Sequence, residues 1–141
     1  MAAEKETKMN TAVRTYRDLI VWQKAMVLVT EVYRISKNIP ISEIYGLISQ
    51  MHRCAVSIPS NIAEGYGRHS TNDYVRFLQI ASGSLYELQT QLEISANSGY
   101  LKKGGSERLL ALTGEIERML SSLIRKLNNN RKAEGERQRD K

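Results

Sequence analysis

The sequence holds one cysteine, two histidines, two prolines, one tryptophan and one phenylalanine in 141 residues. One cysteine allows neither an internal disulfide nor a CxxC pair, which excludes the usual structural zinc site. It fits a reducing, cytoplasmic setting. With two prolines and nine glycines there are few obligatory turns, so long helices are favoured over many short strands. No run of about 18 apolar residues occurs, so no membrane span is expected. The first residues, MAAEKETKMNTAVRT, lack an apolar stretch and do not read as a secretory signal.

What is present is an ordinary globular mixture, 41% hydrophobic and 26% charged, with a net charge of +6. A pI near 9.5 is a mild cue for nucleic acid. Residues 1–15 read as a flexible N-terminal arm. Residues 128–141, NNNRKAEGERQRDK, carry no apolar side chain larger than alanine and read as a disordered basic tail. The folded part is 16–127, at a length that suits one domain.

Four amphipathic helices are expected there. The first starts near Asp18 as N-cap. Trp22, Ala25, Met26, Val29, Val32, Tyr33 and Ser36 recur at helical spacing. Val21, Leu28 and Ile35 form a second stripe, widening the apolar arc to roughly 200° and suggesting contact on two sides. The second helix follows Ser42, with Leu47, Ile48, Met51, Ala55, Ile58 and Ile62 inward. Pro59 lies inside it and predicts a kink, and Gly65 and Gly67 read as its stop. Ser70-Thr71-Asn72-Asp73 resembles a capping box for the third, which Gly99 ends. Ser106 is the expected N-cap of the fourth, whose face runs from Leu109 to Leu127. Short connections make the fold all-α, an antiparallel up-down-up-down four-helix bundle with helix two kinked at Pro59.

Catalytic equipment is sparse. His52, Cys54 and His69 are the candidate nucleophiles or soft ligands, and packing is the simpler role for each. No Glu-x-x-His motif of di-iron bundles occurs. The Gly65-Tyr66-Gly67 run follows a helix, so it fails the context of a nucleotide-binding loop. Neither a catalytic residue, a metal ligand set nor a cofactor is assigned, and the chain is expected not to be an enzyme.

Surfaces are the better candidates. On helix two, Arg53, Ser57, Asn61 and Glu64 lie opposite the expected core. With Val21, Leu28 and Ile35 they are candidates for an oligomer or helix interface. Pro59, Gly65 and Gly67 are structural. The charge is uneven: residues 38–101 sum to −2, whereas helix four and the tail hold +5. Lys102, Lys103, Arg108, Arg118, Arg125 and Lys126 are therefore candidates for phosphate contacts, against the alternative of a solvated, dipole-matched helix end. With no aromatics between them, any nucleic-acid binding should have little sequence specificity.

Tyr16-Arg17-Asp18-Leu19, Val21-Trp22-Gln23-Lys24-Ala25, SIPSNIAEGYGR from Ser57 to Arg68, and FLQIASGSLYELQTQLEIS from Phe77 resemble one family. It is the four-helix bundle proteins encoded in intervening sequences of bacterial large-subunit ribosomal RNA genes. More distantly, the chain is similar to accessory proteins of diversity-generating retroelements, which form homopentamers, bind nucleic acid and associate with a reverse transcriptase. The resemblance implies a homo-oligomer, a pentamer by that likeness, that binds RNA or DNA without enzymatic activity. The alternative it leaves is an interaction scaffold, an accessory subunit of a reverse transcriptase or polymerase.

Overall fold

The computed structural model of the protein describes residues 13–139. Most of the expected N-terminal arm lies outside that range. The chain opens on a 3-10 turn, Tyr16–Asp18, and four α-helices follow: α1 Ile20–Ser36, α2 Ser49–Tyr66, α3 Thr71–Asn97 and α4 Lys103–Arg139. Among the described residues there is no strand.

Local chemistry sets the ends. Asp18 is not the N-cap of α1. Thr15 caps the preceding turn, and Asp18 completes a capping box by accepting from the N–H groups of Arg14 and Thr15 at 2.9 and 3.1 Å. Those amides hold the Asp18 carboxyl below its ordinary range. Ser70 caps α3 as expected, accepting from Asp73 N–H at 3.1 Å. Gly99, at φ +78°, ends it: Tyr100 N–H bonds Ser95 O and Gly99 N–H bonds Ala96 O, the paired bonds of a Schellman motif.

Three boundaries differ from expectation. Between α1 and α2, a 3-10 turn (Ile41–Glu43) and a π-helical turn (Ile44–Ile48) occupy the residues expected to begin helix two. The departure from helical angles in this segment lies at Gly46, φ −111° and ψ −105°. Helical structure continues through Pro59, where the Ser60 and Asn61 side chains bond back to the carbonyls of Val56 and Ser57, both at 2.8 Å. Helix α4 begins at Lys103, three residues before Ser106. Ser106 is buried and bonds back to Lys103 O, while Gly105 rests against Ile35. Tertiary contact at Gly105 and Ser106 thus holds this first turn helical against the propensity of its glycines. The same helix runs on to Arg139, so residues 128–139, expected to be tail, are helical. They are rich in Arg, Lys, Glu and Gln, good helix formers that need no core.

The order of the cross-links gives the directions. Met51, Cys54 and Ser57 of α2 meet Ser95, Gln91 and Ser84 of α3, one series rising as the other falls. Asn72, Tyr86 and Gln89 of α3 meet Arg131, Glu117 and Thr113 of α4. Lys24 and Glu31 of α1 meet Glu115 and Arg108 of α4. Each pair is antiparallel. Leu28, Met51, Ile58, Ile62, Leu78, Leu85, Leu88, Leu92, Ile116 and Leu120 fill the space between them, fully enclosed.

In α1 the phase differs from expectation. Val21, Ala25, Leu28, Val32 and Ile35 are the inward stripe, whereas Met26 and Tyr33 are exposed. Val21, Leu28 and Ile35 are therefore helix contacts within the bundle, closed to another subunit.

Candidate nucleic-acid interface

Helix α4 turns Leu109, Thr113, Ile116 and Leu120 inward. At 100° per residue, Arg118 and Arg125 lie almost diametrically opposite. Because the helix continues, Lys132 and Arg139 extend the same row, each seven residues further on. All four are exposed, and among the described residues none is in an ion pair. Ser121, Ser122 and Asn129 lie between Arg118, Arg125 and Lys132, small and neutral, so a phosphate can approach that stretch without meeting bulk or negative charge. Glu107 precedes the row, and Glu136 lies within it, between Lys132 and Arg139.

The six expected cations do not form one patch. Arg118 and Arg125 anchor the row, and Lys126 sits about 80–100° around the helix from them. Lys102 and Lys103 stand at the far end of α4. Arg108 is committed to Glu31 at 3.0 Å, which also takes Arg34. Arg34, and less strongly Arg108, hold the Glu31 carboxyl below its ordinary range. Lys132 and Arg139 were missed because 128–141 read as tail. The heptad spacing 118, 125, 132, 139 was the available signal.

Of the polar positions of α2, Ser57 and Asn61 lie on the seam with α3. Ser57 and Ser84 hydroxyls meet at 2.8 Å, and Asn61 donates to Ser57 Oγ at 2.9 Å. Short side chains let these helices approach closely. Cys54 is buried on the same seam, its thiol 3.2 Å from Glu87 Oε2 and 3.4 Å from Gln91 Nε2. Burial, then the Glu87 carboxylate, push that thiol up, which makes it a poor nucleophile. Arg53 and Glu64 are exposed, and Glu64 pairs with Arg68 at 2.7 Å.

Gly65 lies inside α2 as a contact point with α3, not a stop. Gly67 caps the helix in the right-handed conformation, φ −78°. His52 stacks on Tyr33 with ring centroids 3.9 Å apart and lies 2.8 Å from Ser36 Oγ. That pins α1 to α2, and burial lowers the imidazole pKa. His69 is exposed in the turn before α3. Among the described residues no three His, Cys, Asp or Glu side chains gather as a metal site.

A second surface follows α1 and α2. Tyr16, Trp22, Met26, Val29, Val56, Pro59, Ser60 and Ala63 line a shallow groove of about 390 Å³. A separate groove of about 440 Å³ is bounded by Tyr33, Ile41, Ile44 and His52. Tyr45 beside it is 96% exposed. Met26, Tyr33, Ile41, Ile44, Tyr45 and Val56 are the large apolar side chains left open on this side. The wide apolar arc of α1 was legible in the sequence; which stripe would stay outside was not.

Among the described residues no helix is long and apolar enough to cross a membrane. Residues 17–122 match the 23S rRNA-intervening sequence protein family. Among solved structures, the chain is similar to a protein of unknown function from the S23 ribosomal protein family of Bacteroides thetaiotaomicron VPI-5482. The TM-score is 0.69 at 24% identity, over 74% of this chain and 98% of that one, a likeness that carries the fold. No curated protein matches.

Proposed function

The chain belongs to the 23S rRNA-intervening sequence protein family, and on that premise we propose that it is a non-enzymatic, homo-oligomeric module that binds RNA or DNA through phosphate contacts in the cytoplasm. The observation that carries this reading is the outward row Arg118, Arg125, Lys132 and Arg139. Cations in a row, free of ion pairs among the described residues, release condensed counterions from a polyanion and need no base contact to do so.

The apolar face of α1 and α2 supports self-association. Similarity to the retroelement accessory proteins makes a pentamer the expected form. Five copies would bring about +30 to one particle, and multivalent contact raises avidity with no new contact per copy. No cofactor or metal enters this reading.

The test is binding of labelled RNA and DNA to nuclease-treated protein at micromolar concentration across a salt series. Affinity that falls steeply with salt, and is lost in the double variant Arg118→Glu, Arg125→Glu with its assembly intact, supports the proposal. No salt-dependent binding overturns it. A second reading, a scaffold or accessory subunit of a reverse transcriptase or polymerase, is favoured by the apolar face. It expects partner binding that survives the double charge reversal.

A further inference from the structure

We infer that the ligand of the α4 row is double-stranded, held by its backbone, and not an unpaired strand; this rests on the nucleic-acid reading above. Three features of the row point the same way. First, it is carried on one continuous helix. Arg118 to Arg139 spans about 31 Å at 1.5 Å per residue, with one cation every 10.5 Å or so. That length is close to one turn of duplex, roughly 34 Å. A duplex is stiff over about 50 nm and lies along such a row without being ordered first. A single strand loses conformational freedom to do so.

Second, an unpaired strand recovers that loss by stacking its bases on aromatic rings. Helix α4 has no Phe, Tyr or Trp anywhere between Lys103 and Arg139. Tyr86 of α3 is exposed and reaches α4, but its hydroxyl donates to Glu117 at 3.1 Å. The ring is thus held against a carboxylate that repels a polyanion. The exposed Tyr33 and Tyr45 belong to the α1–α2 side.

Third, the positions between Arg118, Arg125 and Lys132 are Ser and Asn, which can reach phosphate or sugar but offer no apolar wedge to part base steps, and Glu136 is the one anion on the row, between Lys132 and Arg139. The row is equipped for an intact backbone, whose charge density is one per about 1.7 Å of duplex axis.

The experiment compares one mixed sequence of 30 nucleotides as single-stranded RNA, single-stranded DNA, RNA duplex and DNA duplex. Binding to the full chain is followed by fluorescence anisotropy between 50 and 200 mM salt. Both duplexes are expected to bind about tenfold or more tighter than either single strand. A single strand that binds as tightly as the duplexes overturns this inference and leaves the nucleic-acid reading standing. Absence of binding to all four overturns both. Lys132→Gln with Arg139→Gln lies on the part of α4 remote from the core and leaves the bundle intact. It is expected to lower the duplex salt slope by about one for each cation lost from contact. An unchanged slope overturns the assignment to this row.

Discussion

Gly65 and Phe77 bring α2 and α3 so close that no side chain fits between them. A methyl group on Gly65 would lie 2.8 Å from Phe77 Cβ and 3.2 Å from the Tyr74 carbonyl oxygen. The obstacle is backbone and a Cβ, neither of which can swing away. Helix propensity alone would favour alanine at this position by about 1 kcal/mol. The clash is larger, so Gly65→Ala is expected to destabilise the bundle by about 1–3 kcal/mol in denaturant unfolding. Gly83, mid-helix in α3, has nothing within 4 Å of the same methyl position. Gly83→Ala is therefore expected to stabilise by up to about 1 kcal/mol. Equal effects from the two substitutions would contradict the packing described for Gly65.

Stability should also respond to the protonation of His52. Its imidazole has an ordinary pKa of 6.5, and burial lowers it in the folded chain. The unfolded chain therefore takes up this proton first as pH falls. The stabilisation is complete above 6.5 and is lost as pH drops through the window between the unfolded and folded values. Denaturant midpoints between pH 7.5 and 5 should fall further in the native protein than in His52→Gln, which keeps a polar group near Ser36 but does not titrate. Parallel profiles would show that His52 carries no such linkage.

The Cys54 thiol is enclosed between α2 and α3 and pushed up by burial and by Glu87. Alkylation of the native protein at pH 8 is expected to be at least about a hundredfold slower than in urea. Fast native alkylation would mean that the α2–α3 seam opens readily. Glu87→Gln removes the anionic neighbour and should speed the native reaction modestly by easing ionisation.

Met26 and Val56 stand open on the α1–α2 face, and neither is among the enclosed core residues. Met26→Glu with Val56→Lys should leave the monomer folded, since surface changes of this kind typically cost less than about 0.5 kcal/mol. If this face joins subunits, light scattering should fall from an oligomer toward the 16.0 kDa of one chain. An oligomeric mass that does not change would place the interface elsewhere.

Four helices, the Ser70 cap and the Gly99 stop were legible because each rests on local chemistry: spacing, a side-chain acceptor, and a residue free to take positive φ. What was illegible depended on neighbours distant in sequence. Both stripes of α1 are apolar, and the seating of α2 and α4 decides that Leu28 goes in and Met26 stays out. Gly65 carries the same local signal whether it ends a helix or admits Phe77. Asp18 offered a plausible cap, but Thr15 three residues earlier completed a better one. The continuation of α4 was hidden because its last turns are polar on every side, a pattern shared by solvated helices and disordered tails. That cut the cationic row to half its members.

Helix α4 also outgrows its support. Arg131 is level with Asn72, in the first turn of α3, and the helix continues beyond it to Arg139. Those last two turns have no core to hold them, and an isolated helix of that length is marginal in water. One unbroken helix therefore has two stabilities: amides near Ile116 and Leu120 should exchange only when the bundle opens, and those after Lys132 within its native lifetime. The boundary divides the cations in pairs. Arg118 and Arg125 are mounted on a fixed post, while Lys132 and Arg139 ride on a segment that can unwind and rewind, so the grip on a polyanion has a firm half and a compliant half.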